Sequence, residues 1–233
     1  MKWGALLKIS LIFLVLLTIT SIIHLVDSWR DDSKRRKYTK PFLLIFIICY
    51  YVAAVFENDL SPDKLLIAGL ITSWLGDVLL IPNGNKWFVA GGISFMATHV
   101  LFILVYATNN IVFSNVKWWI VIPAAAVYYG ISAVIIYNLK PSTPKMMLIP
   151  MYFYLICNST MNVFALMQLV ADPCKGSIIA YVGAVLFFIS DCTLFLVRYH
   201  KNKDLIFKRH FTVMLTYILG ELLITHGVLI LAM

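Results

Sequence analysis

Charge is the scarcest property of this sequence. Asp, Glu, Lys and Arg make up 13% of its 233 residues, about half the ~25% usual in a soluble domain. Hydrophobic residues reach 61% and the mean hydropathy is +0.88, which leaves too little polar sequence for a separate soluble domain. Cysteine is sparse too. Of four, Cys49, Cys157 and Cys192 fall in apolar runs and only Cys174 in a loop. That excludes a disulfide framework and matches no metal-ligand spacing. Also missing are a serine in a nucleophile elbow, a His-x-x-x-His pair and a phosphate-binding loop. Serine-hydrolase, zinc-hydrolase and nucleotide-driven chemistry are thereby set aside, and neither a metal nor a cofactor is expected.

What the chain has instead is apolar runs near the ~20 residues that cross a bilayer. Eight spans are expected, at roughly 5–26, 41–57, 64–82, 87–108, 117–138, 146–169, 177–198 and 211–232. The fold class is therefore all-α: a polytopic membrane helix bundle forming one domain over 1–233. Leu6 to Val26 is too long for a signal-peptide core and lacks a small-residue cleavage site, so it reads as a retained first span. The linkers carry turn residues, as in Asn58-Asp59-Leu60-Ser61-Pro62 and Pro82-Asn83-Gly84-Asn85, and are too short to hold a domain. The formal charge of +8 does not point to nucleic acid, because the basic residues sit in short loops. Most of the 19 Lys and Arg follow spans 1, 3, 5 and 7, Arg30, Lys34, Arg35, Arg36, Lys37 and Lys40 among them. Positive-inside bias then puts those loops in the cytoplasm and both termini outside.

Carboxylates inside spans stand out against this background. An ionised Asp in hydrocarbon costs about 2.5–3.5 kcal/mol on insertion scales, and helices that keep one bury it against a partner or a water-filled cavity. Asp77 and Asp191 each lie several residues before the cytoplasmic end of their span. Span 8 begins on that side, so Tyr217 and Glu221, one turn apart on one face, lie at similar depth. Span 6 begins there too, with Tyr152 and Tyr154 near the entrance and Asn158 near the middle. His99 is about halfway along span 4. Asn158 opens an Asn-Ser-Thr sequon, but inside a span it is out of reach of a glycosylating enzyme. His24 and His226 read as peripheral. Lys40 is expected at the start of span 2, with Pro41 in the first helical turn and the ammonium near lipid phosphates.

Each feature has a plainer reading. The aspartates could be caps or interhelical hydrogen bonds, His99 a packing residue, Tyr217 an interface anchor and the basic run a topology signal. Convergence from five helices favours a site. Two carboxyls set close together cannot both ionise easily, so such a pair can work as acid and base. Gly69 precedes Asp77 by the same interval as Gly183 precedes Asp191, and Gly76 and Ser190 stand beside the acids. Small residues allow close helix packing, and the spacing suggests a four-plus-four parallel repeat. Midplane acids in such a repeat also suit a proton-coupled transporter of a small or lipid-like solute, although the spans lack paired Gly/Pro breaks. No oligomeric state is legible.

In order, Thr39-Lys40-Pro41, Ser73-Trp74-Leu75-Gly76-Asp77-Val78-Leu79-Leu80, the His99 span, Ser190-Asp191-Cys192-Thr193-Leu194 and Thr216-Tyr217-Ile218-Leu219-Gly220-Glu221 resemble the lysoplasmalogenase family of YhhN-like multi-pass membrane proteins. The likeness runs from span 2 to span 8. It implies an eight-span bundle that hydrolyses the vinyl ether of lysoplasmalogens to a fatty aldehyde and a glycerophospho-ethanolamine or -choline. By that resemblance Asp77 and Asp191 would be its catalytic residues; Lys40, His99, Asn158, Tyr217 and Glu221, placed by depth and position, are the candidates to surround the substrate. The family pattern more often has glutamine at the position of Glu221, so this chain carries an extra acid. A vinyl ether resists nucleophiles until its β-carbon is protonated. Either Asp77 or Asp191 would supply that proton while the other steadies the oxocarbenium ion and activates water. The expected partners are a lysophospholipid and the bilayer. The expected location is the endoplasmic reticulum membrane in a eukaryote, or the inner membrane in a bacterium.

Overall fold

The computed structural model describes residues 8–30, 33–108, 113–202 and 204–233. In hydrocarbon every backbone N–H and C=O must be satisfied within the protein, so long apolar runs fold as helices. Eight α-helices follow one another: α1 (Ile9–Trp29), α2 (Ser33–Glu57), α3 (Lys64–Leu79), α4 (Asn85–Thr108), α5 (Trp118–Leu139), α6 (Lys145–Ala171), α7 (Lys175–Tyr199) and α8 (His210–Ala232). Seven are long and apolar enough to cross a membrane. The other, α3, has 16 residues, about 24 Å at 1.5 Å per residue and so shorter than the ~30 Å hydrocarbon core.

Number and order match the sequence expectation; the expected start of the first span at 5 lies outside the described residues, α1 runs to Trp29 rather than 26, and two further ends differ in ways that bear on the site. α2 begins at Ser33 rather than near 41, so the basic run forms its first turns and Pro41 lies inside the helix. Lys40 is therefore not at a helix start. The added turns carry Lys and Arg heads that remain solvated on long stems, which is why charge did not break the helix there. α3 stops at Leu79 instead of 82, since Pro82 disfavours helical geometry at the residue before it. Its start is set by Asp63, whose side chain accepts from Leu65 N and Leu66 N at 2.9 and 3.1 Å. At the same end of the bundle Glu57, closing α2, accepts from Ser10 N at 2.8 Å and satisfies a free donor of α1's first turn.

Neighbouring helices close into a circuit, α2–α3–α4–α6–α7–α8 and back to α2, with α1 outside against α2 and α8 and α5 outside against α6 and α7. Exchanging the first four helices with the last four maps that circuit onto itself, as a four-plus-four repeat requires. The matched glycines agree. Gly69 and Gly76 of α3 face Phe102 and Phe95 of α4, while Gly183 of α7 faces Gly220 and Ile224 of α8. The α7–α8 approach is the closer one, backbone against backbone. Phe187 fills the middle of the circuit, its ring centroid 5.1 Å from His99, 5.7 Å from Tyr217 and 6.4 Å from Phe95. One continuous apolar core draws residues from all eight helices.

Candidate active site

Asp77 is 1% exposed, on the inner face of α3. Two side chains from other helices compensate it. Lys40 Nζ of α2 lies 3.1 Å from Oδ1, and Tyr217 Oη of α8 donates to Oδ2 at 2.8 Å. Such charge-assisted bonds are the strong ones. They explain how an acid stays in this helix at all.

Asp191 of α7 is built the same way in the other half. Asn158 of α6 donates from Nδ2 to Oδ2 at 3.0 Å, and His99 Nε2 of α4 stands 3.1 Å from the same oxygen. Tyr154 of α6 lies beside the same carboxyl. Asn162 Nδ2 in turn donates to Asn158 Oδ1 at 3.3 Å and orients that amide. His99 is wedged between Tyr154 and Phe187, with centroids at 5.2 and 5.1 Å. The helix exchange that relates the two halves therefore also relates the two carboxyl sites, α2 and α8 serving Asp77 as α6 and α4 serve Asp191. Their chemistry is not symmetric. Asp77 has an ammonium where Asp191 has an amide.

Both acids line one cavity of about 360 Å³ at the bundle end formed by the α1–α2, α3–α4 and α7–α8 junctions. Apolar side chains, including Phe88, Phe95 and Leu194, make much of its wall, and its mouth carries Arg36, Lys37 and Arg198. Arg198 is held in place, its guanidinium 3.8 Å over the Phe88 ring and Nη2 donating to Asn85 Oδ1 at 3.1 Å. A basic rim over a deeper, partly apolar chamber with two carboxyls suits an amphiphile bearing an anionic head.

A second group lies behind the cavity. Ser73 Oγ is 3.0 Å from Tyr217 Oη and shares a hydrogen bond with Glu221 Oε1. Glu221 Oε2 is buried with no hydrogen-bond partner among the described residues.

Of the residues expected at the site, Lys40, Asp77, Asp191 and Tyr217 reach the cavity wall. His99, Asn158 and Glu221 do not line it; each is 0% exposed. His99 and Asn158 support Asp191, and Glu221 connects through Ser73 and Tyr217 to Asp77. His24, read as peripheral, lines the cavity and lies 2.7 Å from Thr39 through Nδ1. His226 is outside, paired with Tyr50 at 2.7 Å. Ser73 and Tyr154 were the partners that sequence reasoning left without a role, though Ser73 stands one helical turn before Asp77 on the same face. Among the described residues no group of three or more His, Cys, Asp or Glu is placed to hold a metal.

A family model described as the YhhN family matches residues 36–228. No curated protein and no solved structure matches the chain.

Proposed function

Because the chain belongs to the YhhN family, we propose that it is a multi-pass membrane hydrolase that cleaves the vinyl ether of lysoplasmalogens, single-chain alkenyl glycerophospho-ethanolamines and -cholines. The observation that carries this reading is the pair of buried carboxyls, Asp77 and Asp191, on one cavity beneath a basic rim. The head-group phosphate sits at Arg36, Lys37 and Arg198, and the alkenyl chain extends between the helices. The partner of each acid supports a division of labour. Lys40 favours the ionised form of Asp77. Among the described residues Asp191 has no ammonium within its hydrogen-bonding shell and, since two carboxyls facing one chamber resist double ionisation, it is the acid that holds the proton.

Asp191 transfers that proton to the β-carbon, and the C=C π bond becomes the new C–H bond. The α-carbon and ether oxygen then share the positive charge of an oxocarbenium ion, steadied by the Asp77 carboxylate. Water adds to the α-carbon and loses a proton to Asp77, giving a hemiacetal. Asp77 returns that proton to the glycerol oxygen as the C–O bond breaks, and the hemiacetal hydroxyl proton returns to Asp191. Aldehyde and alcohol leave with both carboxyls restored. This is the carboxylate-pair logic of glycoside hydrolysis.

The two-fold arrangement of the acids also favours a second reading, a proton-coupled transporter. Purified protein, assayed in detergent and after reconstitution into sealed vesicles, decides between them. Aldehyde release from lysoplasmenyl-ethanolamine or -choline supports the hydrolase. Proton-gradient-dependent uptake into vesicles without aldehyde supports the transporter. The proposed membrane is the endoplasmic reticulum in a eukaryotic cell or the inner membrane in a bacterium, with the cavity mouth facing the cytoplasm.

A further inference from the structure

Glu221 is a buried acid that the mechanism above does not use. It is 0% exposed, and no ion pair among the described residues includes it. Three contacts join it to Asp77: Glu221 Oε1 with Ser73 Oγ, Ser73 Oγ with Tyr217 Oη at 3.0 Å, and Tyr217 Oη with Asp77 Oδ2 at 2.8 Å. Each contact needs one hydrogen between its two oxygens. The two hydroxyls hold one each, and three contacts need three. The third hydrogen must therefore sit on one of the carboxyls. Asp77 has Lys40 Nζ at 3.1 Å, whereas an unpaired charge at the fully buried Glu221 would be strongly disfavoured.

We infer that Glu221 carries this proton and starts a one-directional chain in which Glu221 donates to Ser73, Ser73 to Tyr217 and Tyr217 to Asp77. Glu221 is thus a positioning residue for Asp77. Its proton sets which way both hydroxyls point and keeps Tyr217 donating to the carboxylate. Losing it turns the Ser73 hydroxyl towards Glu221 and leaves the Ser73 and Tyr217 oxygens 3.0 Å apart with no hydrogen between them unless Tyr217 abandons Asp77. The titratable groups around Glu221 are Tyr217 on its own helix, Asp77 on α3, Tyr106 on α4 and Asp191 on α7. Lys40 of α2 pairs with Asp77, and Tyr50 and His226 pair with each other. The effect on turnover rests on the proposed hydrolase; the location of the proton does not.

Infrared difference spectra of the purified full chain test it directly. Wild-type protein near neutral pH should show two protonated-carboxyl C=O stretches: one, from Asp191, is absent in Asp191→Asn, and that of Glu221 is absent in Glu221→Gln, shifted in Ser73→Ala and retained in Asp191→Asn. A spectrum of folded Glu221→Gln with that band undiminished would overturn the inference, whatever the protein's activity. The glutamine amide also donates to Ser73 but cannot ionise. Aldehyde release by Glu221→Gln should therefore lose the Glu221 component of the alkaline fall in kcat/KM expected of wild type, leaving only the limb set by Asp191, so that the two profiles do not coincide. Glu221→Ala, with no donor, should fall by about 10²-fold, the scale of a misplaced catalytic group. Coincident alkaline limbs in wild type and Glu221→Gln would overturn the positioning role.

Discussion

Lys40 and Asp77 illustrate what a carboxylate needs in order to persist inside an apolar bundle. Removing one member of a buried pair leaves the other charge uncompensated, at about 3–5 kcal/mol, whereas replacing both is often nearly neutral. Lys40→Met should accordingly lower the melting temperature markedly, and Lys40→Met with Asp77→Asn should recover most of the loss, as thermal unfolding in detergent would report. No recovery would mean the two side chains do not act as a pair. At the mouth, Arg198 is held by Phe88 and Asn85. Arg198→Gln should raise KM for lysoplasmenyl lipid about tenfold, the value of one charged hydrogen bond, with kcat little changed. A fall in kcat alone would place Arg198 elsewhere in the reaction. The acids were legible in the sequence because a charge in hydrocarbon is costly at any position. Their neutral partners were harder to read. Ser73 carries no burial penalty large enough to flag it, Tyr154 was placed at the right depth but without a partner, and His24 became a cavity residue only because α2 extends past Lys40 alongside the end of α1.

Between elements, glycine decides how the site is held. An added Cβ at Gly183 would come 2.5 Å from Ile224 N and 2.8 Å from Gly220 O, backbone atoms that cannot turn aside. Gly183→Ala should cost about 1–3 kcal/mol from overpacking and shift Tyr217 and Glu221 against Asp191, lowering turnover as well. Gly130, with no atom within 4 Å of the added Cβ, provides the contrast. Gly130→Ala should be neutral or stabilise by about 0.5–1 kcal/mol, and melting curves of the two variants separate close packing from helix propensity. The Gly69/Gly183 correspondence was visible in the sequence, but which helix each glycine faces was not. The start of α2 was missed for a related reason: a run of Lys and Arg reads as loop when its apolar stems are not considered.

At the scale of the whole molecule, the halves share an arrangement but differ in charge. α2 and α8 serve one acid as α6 and α4 serve the other, and among the described residues only the first has an ammonium. Eight helices and convergent acids were readable from hydropathy and depth; the closed circuit was not, because helix order around a bundle is not written in span order. The basic loops predict that the mouth faces the cytoplasm. In a cysteine-free background, Asn83→Cys beside the mouth should be shielded from an impermeant thiol reagent added outside sealed cells, and Ser61→Cys at the opposite end should be labelled. The reverse pattern would invert the topology. The most direct test of the central claim is the initial rate of aldehyde release from lysoplasmenyl-ethanolamine by purified wild type, Asp77→Asn and Asp191→Asn. Carboxylate acid/base catalysis predicts release by wild type and a loss of about 10²–10⁴-fold in each variant, with both still folded. Undiminished release by either variant would contradict it.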